Sequence, residues 1–169
     1  WKAPEYFTLE QLEHLLECAR AHRRELAWTI LLCGWAGLRK GEVCNARWEW
    51  MDFDSRQPTI RVKAFEGFQL KDNEDRSIPM NRRIRDELFP VRQEQGFILP
   101  SVRRGPHYRY RVDLRASLIA ALKDAGLPPQ RPYQRLRHSF GSILAQRGVS
   151  LFKISKWMGH STVLVTERH

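Results

Sequence analysis

The segment from residue 24 to residue 36 is apolar on nearly every side, with Leu26, Trp28, Ile30, Leu31, Leu32 and Trp35 leaving no polar stripe at helical spacing. A surface helix keeps one polar face, whereas a helix apolar all round must be enclosed by other elements. The chain therefore has to supply amphipathic pieces that wrap a central rod, and Gly37 ends that rod.

Those pieces are present. Thr8 followed by Gln11 is a capping-box signature, and Leu9, Leu12, Leu15, Leu16 and Ala19 form the stripe behind it, so residues 8–21 read as an amphipathic helix. A short helix over 39–47 carries Arg39 and Glu42 one turn apart. The period then changes from helical to alternating. Residues 59–63 read as one strand, 76–80 as a shorter second, and 50–53 as a candidate third. Pro79 has no amide to donate, which makes the second an edge strand. Lys71 lies in the polar turn between the two clearer strands, near the tip of a hairpin.

Helix resumes over 81–94, ended or kinked by Pro90, and again over 112–125, closed by Gly126. Pro128, Pro129 and Pro132 make a rigid lead-in to the last stretch. There Arg137 and His138 open a helix whose Phe140, Ile143 and Leu144 face a core. Gly148 stands where a left-handed cap belongs, and Gly159 repeats the device just before His160. The expected architecture is α+β and mostly helical: one domain over residues 1–169, with a small three-stranded antiparallel sheet.

Charge narrows the function. Lys and Arg number 29 against 19 acidic residues, a formal net charge of +10. An excess of that size points to nucleic acid, an anionic membrane surface or another acidic partner. No apolar run is long enough to span a bilayer, and no signal peptide is recognisable. Cys18, Cys33 and Cys44 sit in apolar helical patterns without metal-ligand spacing, which reads as buried reduced thiols in a cytosolic protein. Residues 101–111 interleave Arg103, Arg104, Arg109 and Arg111 with Tyr108 and Tyr110. Together with Arg76, Arg131 and Arg135, these arginines are candidate contacts to a DNA backbone, although any one of them could equally be a surface ion pair.

Four boxes carry a resemblance. Ala36-Gly-Leu-Arg-Lys-Gly-Glu-Val43, Lys71 with Arg76-Ser-Ile-Pro-Met80, Leu136-Arg-His-Ser-Phe140 and Trp157-Met-Gly-His-Ser161 stand in the order and roughly the spacing of the tyrosine recombinase (phage integrase) catalytic domain. The match covers nearly the whole chain. It implies a site-specific recombinase that cuts and rejoins double-stranded DNA through a 3′-phosphotyrosyl link, with no cofactor and no metal. Arg39 and Arg137 would grip the scissile phosphate, Lys71 would protonate the leaving 5′ oxygen, and His160 would hydrogen-bond the phosphate or hold the site. Glu42 and His138 would support them. Paired arginines suit this chemistry because their forked donors match phosphate oxygens and stay charged.

The sequence departs from the family in two places. Gln134 stands where the family usually has histidine, and an amide can donate to a phosphate oxygen but cannot shuttle a proton. The family's nucleophilic tyrosine follows the Gly-His box by nine or ten residues, where this chain has His169 as its last residue. The expected nucleophile is then the residue after His169, and the chain alone is expected to be inactive. The resemblance further implies a cytoplasmic, nucleoid-associated protein, tetrameric on paired DNA sites when whole, with this piece possible as a monomer. A catalytically silent DNA-binding module and a type IB topoisomerase are the competing readings.

Overall fold

In the computed structural model, residues 5–71, 73–99 and 113–159 are described. The buried rod is α2 (Arg24–Gly34), in which every residue from Leu26 to Gly34 is buried. Helix α1 (Leu9–His22) packs along it through Leu12, Leu15, Leu16 and Ala19. Its start is the capping box expected at Thr8: the Thr8 amide donates to Gln11 Oε1 at 2.9 Å, and the Gln11 amide donates to Thr8 Oγ1 at 3.3 Å. Helices α3 (Lys40–Cys44), α4 (Arg82–Leu88), α5 (Arg115–Asp124), α6 (Pro132–Gln146) and α7 (Leu151–Met158) complete the helical part among the described residues.

The sheet is antiparallel in the order β1 (Met51–Asp52), β2 (Thr59–Val62), β3 (Arg76–Pro79). Ile60 pairs with both Met51 and Ile78, which fixes the register and turns Ile60 and Ile78 into the core. β3 is an edge, as Pro79 requires. Pro90 ends α4 in a single 3-10 turn, Phe89–Val91.

Two expectations need correction. Helix α6 does not begin at Arg137 but at Pro132, a residue whose fixed φ and missing amide suit the first helical position. Arg137 and His138 therefore lie in the second turn, buried, and no helix entrance presents them to an anion. Cys33 and Cys44 are buried free thiols as expected, but Cys18 is only partly buried on α1.

The chain ahead of α1 is tied to α6. The Phe7 amide donates to Ser139 Oγ at 2.8 Å, Gln146 Nε2 donates to the Tyr6 hydroxyl at 2.9 Å, and Arg135 pairs with Glu5 while lying over the Phe7 ring. At the other end of α2, Gly37 turns the chain at φ +66°, where a β-carbon is disfavoured. A β-carbon there would also lie 2.9 Å from Phe140 Cε1 of α6. Gly37→Ala is expected to cost about 3 kcal/mol from backbone strain and overpacking combined. Thermal unfolding should then fall by several degrees, and an unchanged melting curve would contradict this packing.

Candidate active site

Helix α7 ends at Gly159, which adopts φ +66° as a left-handed cap. A helix leaves its last carbonyls without intrahelical partners. Here three successive carbonyls each receive a different arginine. Arg76 Nε donates to Trp157 O at 2.8 Å, Arg137 Nη2 donates to Met158 O, and Arg39 Nη2 donates to Gly159 O. Cations at a helix C-terminus also meet the negative end of its dipole. Arg137 Nη1 donates in addition to Gly37 O, joining the end of the central rod to the same cluster. Arg39 and Arg137, nearly a hundred residues apart in sequence, thus converge on adjacent peptide units.

Among the described residues Glu42 is a counterion of this cluster, with its side chain 3% exposed. Its two carboxylate oxygens accept from Arg76 Nη1 and Nη2 at 2.8 and 2.7 Å in a forked pair. Oε2 also accepts from the Arg39 amide at 2.7 Å, while Arg39 Nη1 lies 3.5 Å from Oε1. Burial alone would raise the Glu42 pKa, but the Arg76 hydrogen bonds and charge, the Arg39 amide and Arg137 outweigh it and hold the carboxyl below its ordinary value. For Arg137, burial first, then the like charge of Arg39, pushes the pKa down to about 9, so the group stays cationic at neutral pH.

Arg39 lines a cleft of about 810 Å³ whose lining also includes Lys71, Gln69 and Gly67. Lys71 is exposed in the connection between β2 and β3, which is longer than a simple hairpin turn and folds back on itself through a bridge between Phe65 and Phe68. Arg47 lines it too, its guanidinium 5.0 Å from both the Phe65 and Phe97 ring centres. The structure therefore brings Arg39, Arg137 and Glu42 into one cluster, and Lys71 and Arg39 line one cleft.

Gln134 is exposed one helical turn before the buried Arg137, so the two share a face of α6. His138 is buried on the same helix. Tyr133 is also buried; its hydroxyl accepts from the Leu114 amide at 3.2 Å and donates to Asp113 at 3.4 Å, and burial drives its pKa upward. A phenol so enclosed and so hard to ionise is unsuited to attack a substrate.

The arginines expected at a DNA backbone divide. Arg131 is exposed at the start of α6. Arg135 is instead buried, donating to Glu5 and Pro128 O, and Arg76 is committed to Glu42 and α7 with only 9% of its side chain exposed. Arg103, Arg104, Arg109, Arg111 and His160 lie outside the described residues. The inward Arg76 and the Arg47 stack were both missed from sequence. Arg76 was legible in principle: it stands two residues from the buried Ile78, and alternate residues of a strand share a face.

The phage integrase family model matches residues 5–169. The chain belongs to the phage integrase family. Among its relatives, a XerC-like tyrosine recombinase of Caldanaerobacter subterraneus is 26% identical over 96% of this chain and 49% of its own length. The tyrosine recombinase XerA of Thermococcus kodakarensis is 26% identical over 97% of this chain and 57% of its own length. The chain thus spans about half the length of these family members. Its fold is that of a solved XerA recombinase, with a TM-score of 0.76 at 22% identity over 98% of this chain and 58% of that one. A XerH site-specific recombinase solved on its difH substrate before cleavage superposes with a TM-score of 0.74 at 19% identity, covering 99% of this chain and 51% of that one.

Proposed function

We propose that this chain is the catalytic domain of a site-specific tyrosine recombinase acting on double-stranded DNA. The observation that carries it is the convergence of Arg39 and Arg137 on the end of α7, with Lys71 lining the same cleft as Arg39. A tyrosine oxygen attacks phosphorus, a 3′-phosphotyrosyl bond forms and the bond to the 5′ oxygen breaks. A 5′ hydroxyl from a second strand then reverses the step, so the bond energy is stored in the covalent link. Arg39 and Arg137 stabilise charge building on the non-bridging oxygens, and their preorganisation in a buried cluster strengthens that effect. Lys71 delivers the proton to the leaving 5′ oxygen. Gln134 donates to a phosphate oxygen, and His160, next in chain after the Gly159 carbonyl that Arg39 holds, completes the phosphate contacts.

The whole polypeptide works as a tetramer on paired sites. Arg131 and the arginines of 103–111 contact the DNA backbone. The net charge of +10 supports such contacts, each phosphate neutralised adding roughly −0.9 to the log–log salt slope of affinity.

The test is covalent capture on a pool of nicked duplexes of randomised sequence, using the whole polypeptide. Wild type should form a protein–DNA adduct and enrich a discrete site. Salt-dependent binding with no adduct would instead favour a silent DNA-binding module, the reading that Gln134 supports. On the enriched site, Lys71→Met should keep affinity within about twofold yet slow cleavage by about 10²–10⁴. A substrate with sulfur replacing the leaving 5′ oxygen, which needs no proton, should restore the rate. If it does not, Lys71 is not the acid.

A further inference from the structure

The sequence suggests Arg76 as a DNA contact; its surroundings suggest something else. It opens β3, faces inward with Ile78, and spends three N–H groups on protein: two on the Glu42 carboxylate and one on Trp157 O. A β-carbon on Gly159 would lie 3.2 Å from both Cδ and Nη1 of Arg76 and 3.3 Å from its Cζ, so the guanidinium lies directly against the peptide that ends α7. Three elements meet on this one side chain: the strand leading away from the Lys71 connection, the helix carrying Glu42 next to Arg39, and the end of α7 where Arg137 and Arg39 also bind.

We propose that Arg76 is a positioning residue for the reaction, not a phosphate contact. Its planar fork sets the Glu42 carboxylate, which in turn fixes the Arg39 main chain through the 2.7 Å bond from the Arg39 amide. Its Nε holds the last turn of α7, and with it the Met158 and Gly159 carbonyls that orient Arg137 and Arg39. Lysine cannot replace it, because one ammonium has neither the planar fork nor the reach to serve Glu42 and Trp157 O together. The inference rests on the recombinase reading, since what it positions are the proposed catalytic arginines.

The experiment compares wild type with Arg76→Lys and Arg76→Gln in the whole polypeptide, with far-ultraviolet circular dichroism confirming that each is folded. Arg76→Lys keeps the charge and guards against a glutamine variant that fails to fold. The first readout is the salt dependence of binding to a duplex of about 30 base pairs. Both variants should keep the wild-type slope and stay within about twofold in affinity. The second is single-turnover cleavage of the enriched site, which should fall at least about 100-fold in both. Loss of roughly 0.9 from the salt slope in the glutamine variant, with the lysine variant retaining it, would mark a phosphate contact and overturn the proposal. So would cleavage at the wild-type rate in Arg76→Lys. Absence of cleavage by wild type itself is a different failure: it removes the recombinase reading, and this inference falls with it.

Discussion

On the proposed reading, replacing Arg137 with alanine is expected to slow single-turnover DNA cleavage by about 10³–10⁵, the range seen when a transition-state arginine is removed. The size of the effect follows from where the guanidinium sits. It is buried, and two of its N–H groups are fixed on Gly37 O and Met158 O, which orients the rest before any substrate arrives. An oriented charge in a poorly solvated site does not have to reorganise as charge develops on phosphorus. Arg137→Lys should rescue little of the rate, because an ammonium cannot bridge the two carbonyls and still present a donor plane to phosphate. Affinity for duplex DNA should change far less than the rate, since an enclosed side chain adds little to contact with the backbone. A parallel loss of affinity and rate would mean that Arg137 binds the ground state as strongly as the transition state.

Glu42→Ala is the variant expected to cost most in stability, about 3–5 kcal/mol, as for other buried ion pairs broken by removing one partner. Arg76 loses both of its carboxylate bonds, the Arg39 amide loses its acceptor, and three guanidiniums face one another without their counterion. For a chain of this size the melting temperature should drop by about 10 °C. Glu42→Gln should recover part of the loss by refilling the volume and accepting some of the hydrogen bonds. The pH dependence separates charge from shape. The folded-state pKa of Glu42 is below the ordinary 4.5, so its stabilisation is fully present above that pH and is lost as pH falls through the folded value. Melting curves of wild type and Glu42→Gln should therefore be widely separated at neutral pH and draw together below pH 4.5. A constant gap across that range would show that the carboxylate charge is not what stabilises the cluster.

How much of this was legible in the sequence depends on how local the cause was. The enclosed rod, the Thr8–Gln11 box, the Pro79 edge and the glycine stops at 148 and 159 all rest on neighbours a few residues away, and all appear in the structure. The start of α6 was also local, but Pro132 reads equally well as the last proline of a rigid loop or as a first helical residue, and only the packing of Tyr133 and Leu136 decides it. The arginines are different. Arg76, Arg131 and Arg135 look alike along the chain, and what separates them is Glu42, thirty-four residues from Arg76, and Glu5, one hundred and thirty from Arg135. A basic residue on a basic protein is read as surface until its carboxylate partner is known. The meeting of Arg39 with Arg137 was expected only because the four boxes resembled a family; neither periodicity nor charge implies it.

The cluster at the end of α7 is also unevenly charged. Among the described residues, the guanidiniums of Arg39, Arg76 and Arg137 gather at this helix terminus with the carboxylate of Glu42. A phosphodiester brings one negative charge, whereas the five-coordinate phosphorus reached after attack by a phenolate brings two. On the proposed reading, this gathering of cations favours the doubly charged phosphorus over the resting diester, so the site is electrostatically matched to the middle of the exchange more than to its start.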